Sequence, residues 1–159
     1  KKSETNTNYE SQLVKARELY YTNPQKAVEL AKKLALHAEL EGNTDYRIKS
    51  LSSLVQGYLI LGEYESALKE ALVMENLAKN QNDPKIAMEV KFKLANVYDA
   101  AMMSKTSNQY ANEIIEYYKT KDESKFSEMD YQLFFNFYRK RDKNILHSSG
   151  LMIERDRHA

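Results

Sequence analysis

The sequence predicts an all-α fold, and three observations indicate it. The 159 residues include only 4 glycines and 2 prolines, and 30% of the chain is charged; such a composition is typical of long helices rather than sheets. A capping residue followed by proline recurs at Asn23-Pro24 and Asp83-Pro84, where a side-chain acceptor precedes a ring already restricted to helical φ. Several residues also return at a spacing of 40, which indicates a repeated structural unit.

Eight helices joined by short turns follow from these signals. The two proline signals each begin a helix, weaker capping signals begin others, and Gly42 and Gly62 are typical of turns that end helices. The weaker signals are Asn43 or Thr44, Asn108, Ser124 and Asp142. The predicted helices span roughly residues 9–22, 24–41, 45–61, 64–80, 84–103, 108–121, 125–141 and 143–157.

The repeat groups the helices into hairpins. The residues 40 apart are Tyr58, Tyr98 and Tyr138, then Leu54, Leu94 and Phe134, and also Ala27 and Ala67. Equal spacing is expected when stacked hairpins each present the same face to a neighbour, whereas a free-standing bundle gives no reason for it. We therefore predict one domain over residues 1–159, with repeats at roughly 9–42, 43–82, 83–122 and 123–158, and we expect residues 1–8 to be disordered.

The segment Leu51–Leu72, LSSLVQGYLILGEYESALKEAL, resembles a tetratricopeptide repeat (TPR). Six positions agree with that family in residue type and spacing: Leu51, Leu54, Tyr58, Gly62, Tyr64 and Ala67. The resemblance implies a right-handed solenoid of about four helical hairpins that binds a protein or peptide segment in its concave groove. In the unit from Pro84, Met102 stands where glycine is expected and Ala111 lies four residues late, which predicts an extended turn.

The step of 40 residues exceeds the roughly 34 of the standard repeat. Longer repeats of this kind resemble those of bacterial regulatory proteins, including peptide-pheromone receptors and the sensory regions of some histidine kinases. The resemblance therefore implies the sensory or scaffolding region of a larger bacterial signalling regulator. The C-terminal segment Ile153–Ala159, IERDRHA, faintly resembles the segment before the phosphoacceptor histidine of one class of sensor kinases.

No motif in the sequence indicates catalysis. His37, His147 and His158 are isolated and lack the spacing of a helical zinc site. The four glycines form no phosphate-binding loop, and the chain has no cysteine for a disulfide, a thiolate metal site or a nucleophile. We predict a chain that is not an enzyme and takes no metal or cofactor.

The net charge and the hydropathy of the sequence limit the classes of partner that we expect. The formal net charge of +1 provides no field that would favour nucleic acid. No run approaches the roughly 18 apolar residues of a membrane span, so we expect no membrane contact. The polar start, KKSETNTNYESQ, is interpreted equally as a linker left after removal of a leader or anchor and as a frayed terminus. The sequence does not predict the cellular compartment.

A row of side-chain amides, Gln56, Asn96 and Asn136, is the best binding candidate. Each lies two residues after the packing Leu or Phe and two before the packing Tyr, and in the TPR family that side of the first helix lines the groove. Amides both donate to and accept from a peptide backbone, so a row of them can hold an extended segment. The predicted neighbours in the groove are polar with a basic bias: Lys49, Ser52, Lys93, Gln132, Arg139 and Lys140.

Two further readings stay open beside this one. The first is a receptor for a short signalling peptide. The second is a structural scaffold that forms a homodimer through the aromatic-rich last repeat, where YQLFFNFY covers residues 131–138 and Phe135 is a candidate contact. The basic run YRKRDK, residues 138–143, is interpreted as a solvated helix end or as a contact for phosphate or an acidic peptide.

Overall fold

The computed structural model describes the backbone of residues 2–134 and the side chains of residues 8–134. It confirms the all-α prediction for this range, in which no residue is in a β-strand. The complete α-helices are α1 (Lys2–Leu19), α2 (Pro24–Leu40), α3 (Thr44–Leu61), α4 (Tyr64–Lys79), α5 (Pro84–Ala100) and α6 (Ser104–Lys119). A 3-10 helix, Glu123–Lys125, follows, and residues 128–134 are again helical up to the end of the described range.

The predicted start signals cap the helices as expected. The side-chain Oδ1 of Asn23, Asn43 and Asp83 each accepts a backbone N–H from the first turn of the helix that follows, at 3.2, 3.3 and 2.9 Å. Each acceptor satisfies one of the N–H groups that a helix leaves unpaired at its start. The helices α2, α3 and α5 therefore begin where the sequence places them.

The repeat is also visible in the backbone conformation at the helix ends. Residues with positive φ recur at Gly42, Gly62, Asn82 and Met102, with φ of +66, +74, +52 and +63°. They are spaced by 20 residues, so each helix with its turn occupies 20 residues and each hairpin 40. Gly62 is the left-handed residue that follows α3, as the sequence predicted.

The predicted extended turn before α6 is wrong. Helix α6 begins at Ser104 rather than near Asn108, because Met102 takes the left-handed position that Gly62 holds one repeat earlier. Ser107 lies 40 residues after Ala67 and is its counterpart: it is 4% exposed, and its hydroxyl donates to the Ala95 carbonyl at 2.8 Å. Ala111 is thus the counterpart of Ala71, and no residues are inserted.

The predicted count of eight helices also needs correction. The described residues contain six complete α-helices and one 3-10 helix before the terminal helical residues 128–134. Helix α1 begins at Lys2 rather than residue 9, and the predicted helix 125–141 begins instead at residue 128. Ser127, not Ser124, caps this last helix; the predicted helix 143–157 lies outside the described residues.

The last described helix begins at residue 128 because Ser127 and Asp130 form a reciprocal pair of hydrogen bonds. The Asp130 N–H donates to Ser127 Oγ at 3.2 Å, and the Ser127 N–H donates to Asp130 Oδ2 at 2.9 Å. This is the capping-box arrangement, which satisfies two unpaired donors at once. Ser124 has no carboxylate or amide side chain three residues later, and it lies within the 3-10 helix.

The chain divides into two compact units, residues 1–108 and 109–159. In the first unit each helix from α1 to α5 packs against the next along the chain. In addition α1 contacts α3, and α3 contacts α5. Helix α3 therefore contacts both α1 and α5, and α2 and α4 each pack against the two helices that flank them in the sequence. This array is consistent with repeated hairpins.

Small residues set the closest approaches in the first unit. Ala27 and Ala67, 40 residues apart, are both 0% exposed. Gly57, four residues before the end of α3, lies so close to α2 that a Cβ placed on it would meet Val28 Cγ2 at 2.7 Å. A side chain at residue 57 would therefore have to displace Val28, a restriction that was not predicted from the sequence.

In the second unit, described to residue 134, Tyr118 lies at the centre of the core. It is 2% exposed, its ring meets Phe126 edge-on, and its hydroxyl donates to Asp130 Oδ1 at 2.8 Å. Burial alone would raise the pKa of Asp130, but the hydrogen bonds from Ser127 and Tyr118 outweigh it and hold the pKa below its ordinary value. Asp130 thus joins the helix cap to the core.

Candidate functional site

The predicted groove residues of the first unit lie on one surface of the odd-numbered helices. Residues 49, 52 and 56 share a face of α3 because they are three and four residues apart, and residues 93 and 96 share a face of α5. Hydrogen bonds join these helices: Lys49 Nζ donates to Glu10 on α1, and Lys93 Nζ donates to Gln56 on α3. We call the surface formed by Glu10, Lys49, Ser52, Gln56, Lys93 and Asn96 the inner face.

At the α1 end of the inner face the polar side chains are hydrogen-bonded to one another. Glu10 Oε1 accepts from Lys49 Nζ and from the Tyr46 hydroxyl, both at 3.0 Å. The Lys49 ammonium also lies 4.7 Å from the centre of the Tyr46 ring. Burial is the largest single effect and would lower the pKa of Lys49, but the hydrogen bond to Glu10 and the negative charge of Glu10 together outweigh it, so the pKa is raised. The charge of Lys49 is therefore compensated within the chain.

Lys93 lies in a different environment. It is partly buried between α5 and α3, and its Nζ donates to Gln56 Oε1 at 3.3 Å. Among the described residues this neutral amide is its only polar partner, and no carboxylate is within ion-pair distance. Removal of the ammonium from water lowers the pKa of Lys93 from 10.5 to about 8. A cationic side chain is thus held on the inner face without an anion.

The preceding repeat carries small residues at the positions of Gln56 and Lys93. Ala16 and Ser53 lie 40 residues before Gln56 and Lys93. Ala16 is 0% exposed, and Ser53 is 8% exposed and hydrogen-bonded to the Tyr20 hydroxyl at 2.7 Å. The contact between α1 and α3 is therefore closed by small side chains and a tyrosine. Between α3 and α5 the same positions carry an amide and a lysine, so this contact is polar.

The remaining predicted site residues fall into two groups. Asn96 and Ser52 are partly buried on the inner face, and the Asn96 amide makes no hydrogen bond within the described residues. Gln132 is exposed in the terminal helical residues of the second unit. Asn136, Arg139 and Lys140 lie outside the described residues, as does Phe135. The structure thus brings together Gln56, Lys93 and Asn96 of the predicted set.

The pairing of Gln56 with Lys93 was not predicted from the sequence. The two residues are 37 apart, three fewer than the repeat, because α5 contacts α3 about one helical turn out of register with the repeat. Lys49 and Glu10 are similarly 39 apart, and Tyr46 and Glu10 are 36 apart. The available signal was that a small residue, Ser53, stands one repeat before Lys93, which is typical of a contact between helices rather than a free surface.

Within residues 2–134 no helix is long and apolar enough to cross a bilayer. In the same range no three His, Cys, Asp or Glu side chains are grouped so that they could hold a metal ion. Comparison of the chain with protein-family models, with curated proteins and with solved structures finds no match.

Proposed function

We propose that the chain is a non-catalytic binding module of the TPR type that takes a segment of a protein or peptide along its inner face. One observation carries the proposal: the inner face keeps Lys93 without an anion and the Asn96 amide without a hydrogen bond, side by side on α5. Partly buried polar groups gain free energy when a ligand supplies their missing partners. Side chains that served only solubility would be fully solvated and need no such partner.

The proposed ligand is an extended segment. An extended backbone offers alternating N–H and C=O groups, and an asparagine amide can pair with one of each. The direct contact of α3 with α5 places Gln56 and Asn96 on neighbouring helices. In a right-handed solenoid of TPR type these helices line the concave side, and such a module would act as the sensory or scaffolding region of a bacterial regulator. A short signalling peptide would bind in the same way.

Selection of peptides by phage display on the full 159-residue chain, followed by calorimetry, tests this proposal. Peptides that bind wild type are expected to lose about tenfold or more in affinity with Asn96→Ala, because each lost hydrogen bond in a desolvated site costs about 1.5 kcal/mol. The control is Asn76→Ala, which removes an exposed amide from α4. Recovery of no peptide, or equal loss in both variants, would contradict the proposal.

A further inference from the structure

Three turns of the first unit lie at the same end of its helices. Consecutive helices from α1 to α5 pack against each other and are joined by two to four residues, so they run antiparallel. Helices α1 and α3 run in the same direction, since Glu10 and then Tyr20 along α1 bond to Lys49 and then Ser53 along α3. The segments that follow α1, α3 and α5 are residues 20–23, 62–65 and 101–104.

All three of these segments expose large apolar side chains. Tyr21 and Met102 are 84% and 87% exposed. At the opposite end the turns 41–43 and 80–83 contain no large apolar residue, although Leu40 beside the first of them is exposed. We call the end with the apolar side chains the turn edge, and its exposed residues are Tyr21, Glu63, Tyr64, Glu65, Met102 and Met103.

The turn edge is built at a cost to stability. Met102 adopts a left-handed φ of +63°, and Met103, which precedes α6, has no side-chain oxygen that could cap the helix. Glu63, which precedes α4, makes no capping hydrogen bond. At the opposite end both turns are capped, by Asn43 and Asp83. Residues that weaken the fold at neighbouring turns are expected where a partner contacts them.

Two carboxylates give the middle of the turn edge a negative charge. Glu63 and Glu65 flank Tyr64, both are exposed, and neither forms an ion pair among the described residues. The charge of Glu63 acts on Lys32 of α2, but from beyond ion-pair distance. Lys105, two residues after Met103, confines the acidic character to the middle segment. A cation on a partner would therefore meet uncompensated charge there, between apolar contacts on either side.

We propose that the turn edge binds an amphipathic α-helix of a partner protein, with apolar residues spaced by seven and basic residues beside the middle one. Helices in direct contact lie about 8–10 Å apart, and the register shift between α3 and α5 adds about 5 Å along their axes. Successive segments are therefore about 10–11 Å apart. Seven residues of a helix span about 10.5 Å, so its apolar residues contact each segment in turn. This surface is separate from the inner face, and the inference goes beyond the proposed function.

Fluorescence anisotropy with a designed helix tests the inference on the full chain. The probe is a labelled alanine–glutamine helix with three leucines spaced by seven residues and two arginines, each one turn from the middle leucine. One control carries glutamate in place of arginine, and the other has its leucines spaced by five residues, which share no face. The basic probe should bind about tenfold more tightly than either control. Equal binding of all three, or no binding of the basic probe, would overturn the inference.

Variants that stabilise the fold separate binding from folding. The double variant Met102→Gly, Met103→Asn copies the Gly42-Asn43 turn of the opposite end, so it should raise the urea midpoint and yet weaken probe binding by about tenfold. Glu63→Asn gains a cap but loses a charge, and should bind about threefold more weakly. Glu63→Asp gains the cap, keeps the charge and should bind like wild type. Unchanged binding in the double variant would contradict the proposed contact.

Two further measurements identify the surface and its occupant. Leu40→Asn at the opposite end and Asn96→Ala on the inner face should both leave the affinity for the probe unchanged. Loss of binding in Asn96→Ala would place the probe on the inner face and refute the inference, whereas display-selected peptides are expected to need Asn96. Analytical ultracentrifugation of the free chain should show no dimer. A dimer that the double variant dissociates would make a second copy of the chain the occupant, and would contradict a partner helix.

Discussion

Gly57 provides the sharpest test of how α2 and α3 are packed. A Cβ at residue 57 would lie 2.7 Å from Val28 Cγ2, closer than non-bonded carbon atoms approach. Val28 is 3% exposed and β-branched, so it has little freedom to move aside. In Gly57→Ala, overpacking should cost about 1–3 kcal/mol. The higher helix propensity of alanine offsets about 1 kcal/mol of this overpacking cost, so the net destabilisation is about 1 kcal/mol.

Removal of the Val28 methyl groups should reverse the sign of this effect. Val28→Ala alone should destabilise the chain by about 2 kcal/mol, through lost burial and the cavity left behind. In that background the nearest remaining Val28 atoms are the backbone N and Cα, at 3.7 and 3.8 Å from the added Cβ, which is ordinary contact. Gly57→Ala should then stabilise by about 1 kcal/mol, since only the propensity gain is left.

Urea denaturation of the four chains, followed by circular dichroism, measures the coupling. The expected coupling energy is about 1–3 kcal/mol in favour of the double variant. Leu13→Ala, which opens a cavity in the core between α1 and α2, is the control and should add to Gly57→Ala within about 0.5 kcal/mol. The same destabilisation by Gly57→Ala in the wild-type and Val28→Ala backgrounds would refute the close approach of α2 and α3.

Two further predictions concern the last turn of the repeat and the buried lysine. Met102→Gly should stabilise the chain by about 0.5–1 kcal/mol in urea denaturation. The reason is that relief of the left-handed strain at φ +63° exceeds the entropy that glycine adds to the unfolded chain. No packing is lost, since Met102 is 87% exposed. An unchanged or lower stability would contradict the left-handed turn. The pKa of Lys93 is lowered from 10.5 to about 8, so between these pH values the unfolded chain binds more protons and stability should rise with pH. Lys93→Met should be about 1–3 kcal/mol more stable than wild type at pH 7, and the difference should shrink between pH 8 and 10. A difference that does not change with pH would show that Lys93 is solvated.

Local signals in the sequence determine most of the helix boundaries. Asn23, Asn43 and Asp83 cap helices because their side chains reach N–H groups only two or three residues ahead. Gly62 ends α3 because glycine adopts positive φ without strain. These interactions are complete within a few residues, so a sequence pattern is sufficient to predict them.

The errors arose where a residue type hides its structural role. Ser107 is polar in the sequence, yet it fills the small buried position of Ala67 because its hydroxyl bonds to the Ala95 carbonyl. Met102 adopts the conformation expected of glycine, at a cost that neighbouring structure supports. At each of these positions the structure of the repeat is kept, although the residue type differs from the one that the repeat pattern requires.

The candidate site was predictable as a surface but not as a set of contacts. The repeat placed Gln56 and Asn96 on equivalent faces, and both are partly buried on the inner face. The bond of Lys93 to Gln56 depends on how far α5 is displaced along α3, which is set by packing between helices. No local pattern encodes that displacement, so the uncompensated charge became visible only in three dimensions.

Backbone chemical-shift mapping tests most directly whether a segment binds along the inner face. A display-selected peptide is titrated into the isotopically labelled full chain, and shift changes are followed residue by residue. The largest changes are expected at residues 49–56 of α3 and 93–96 of α5. Largest changes instead at exposed apolar residues in the turns or at a helix start, such as Tyr21, Met102 and Tyr64, would contradict binding at the inner face.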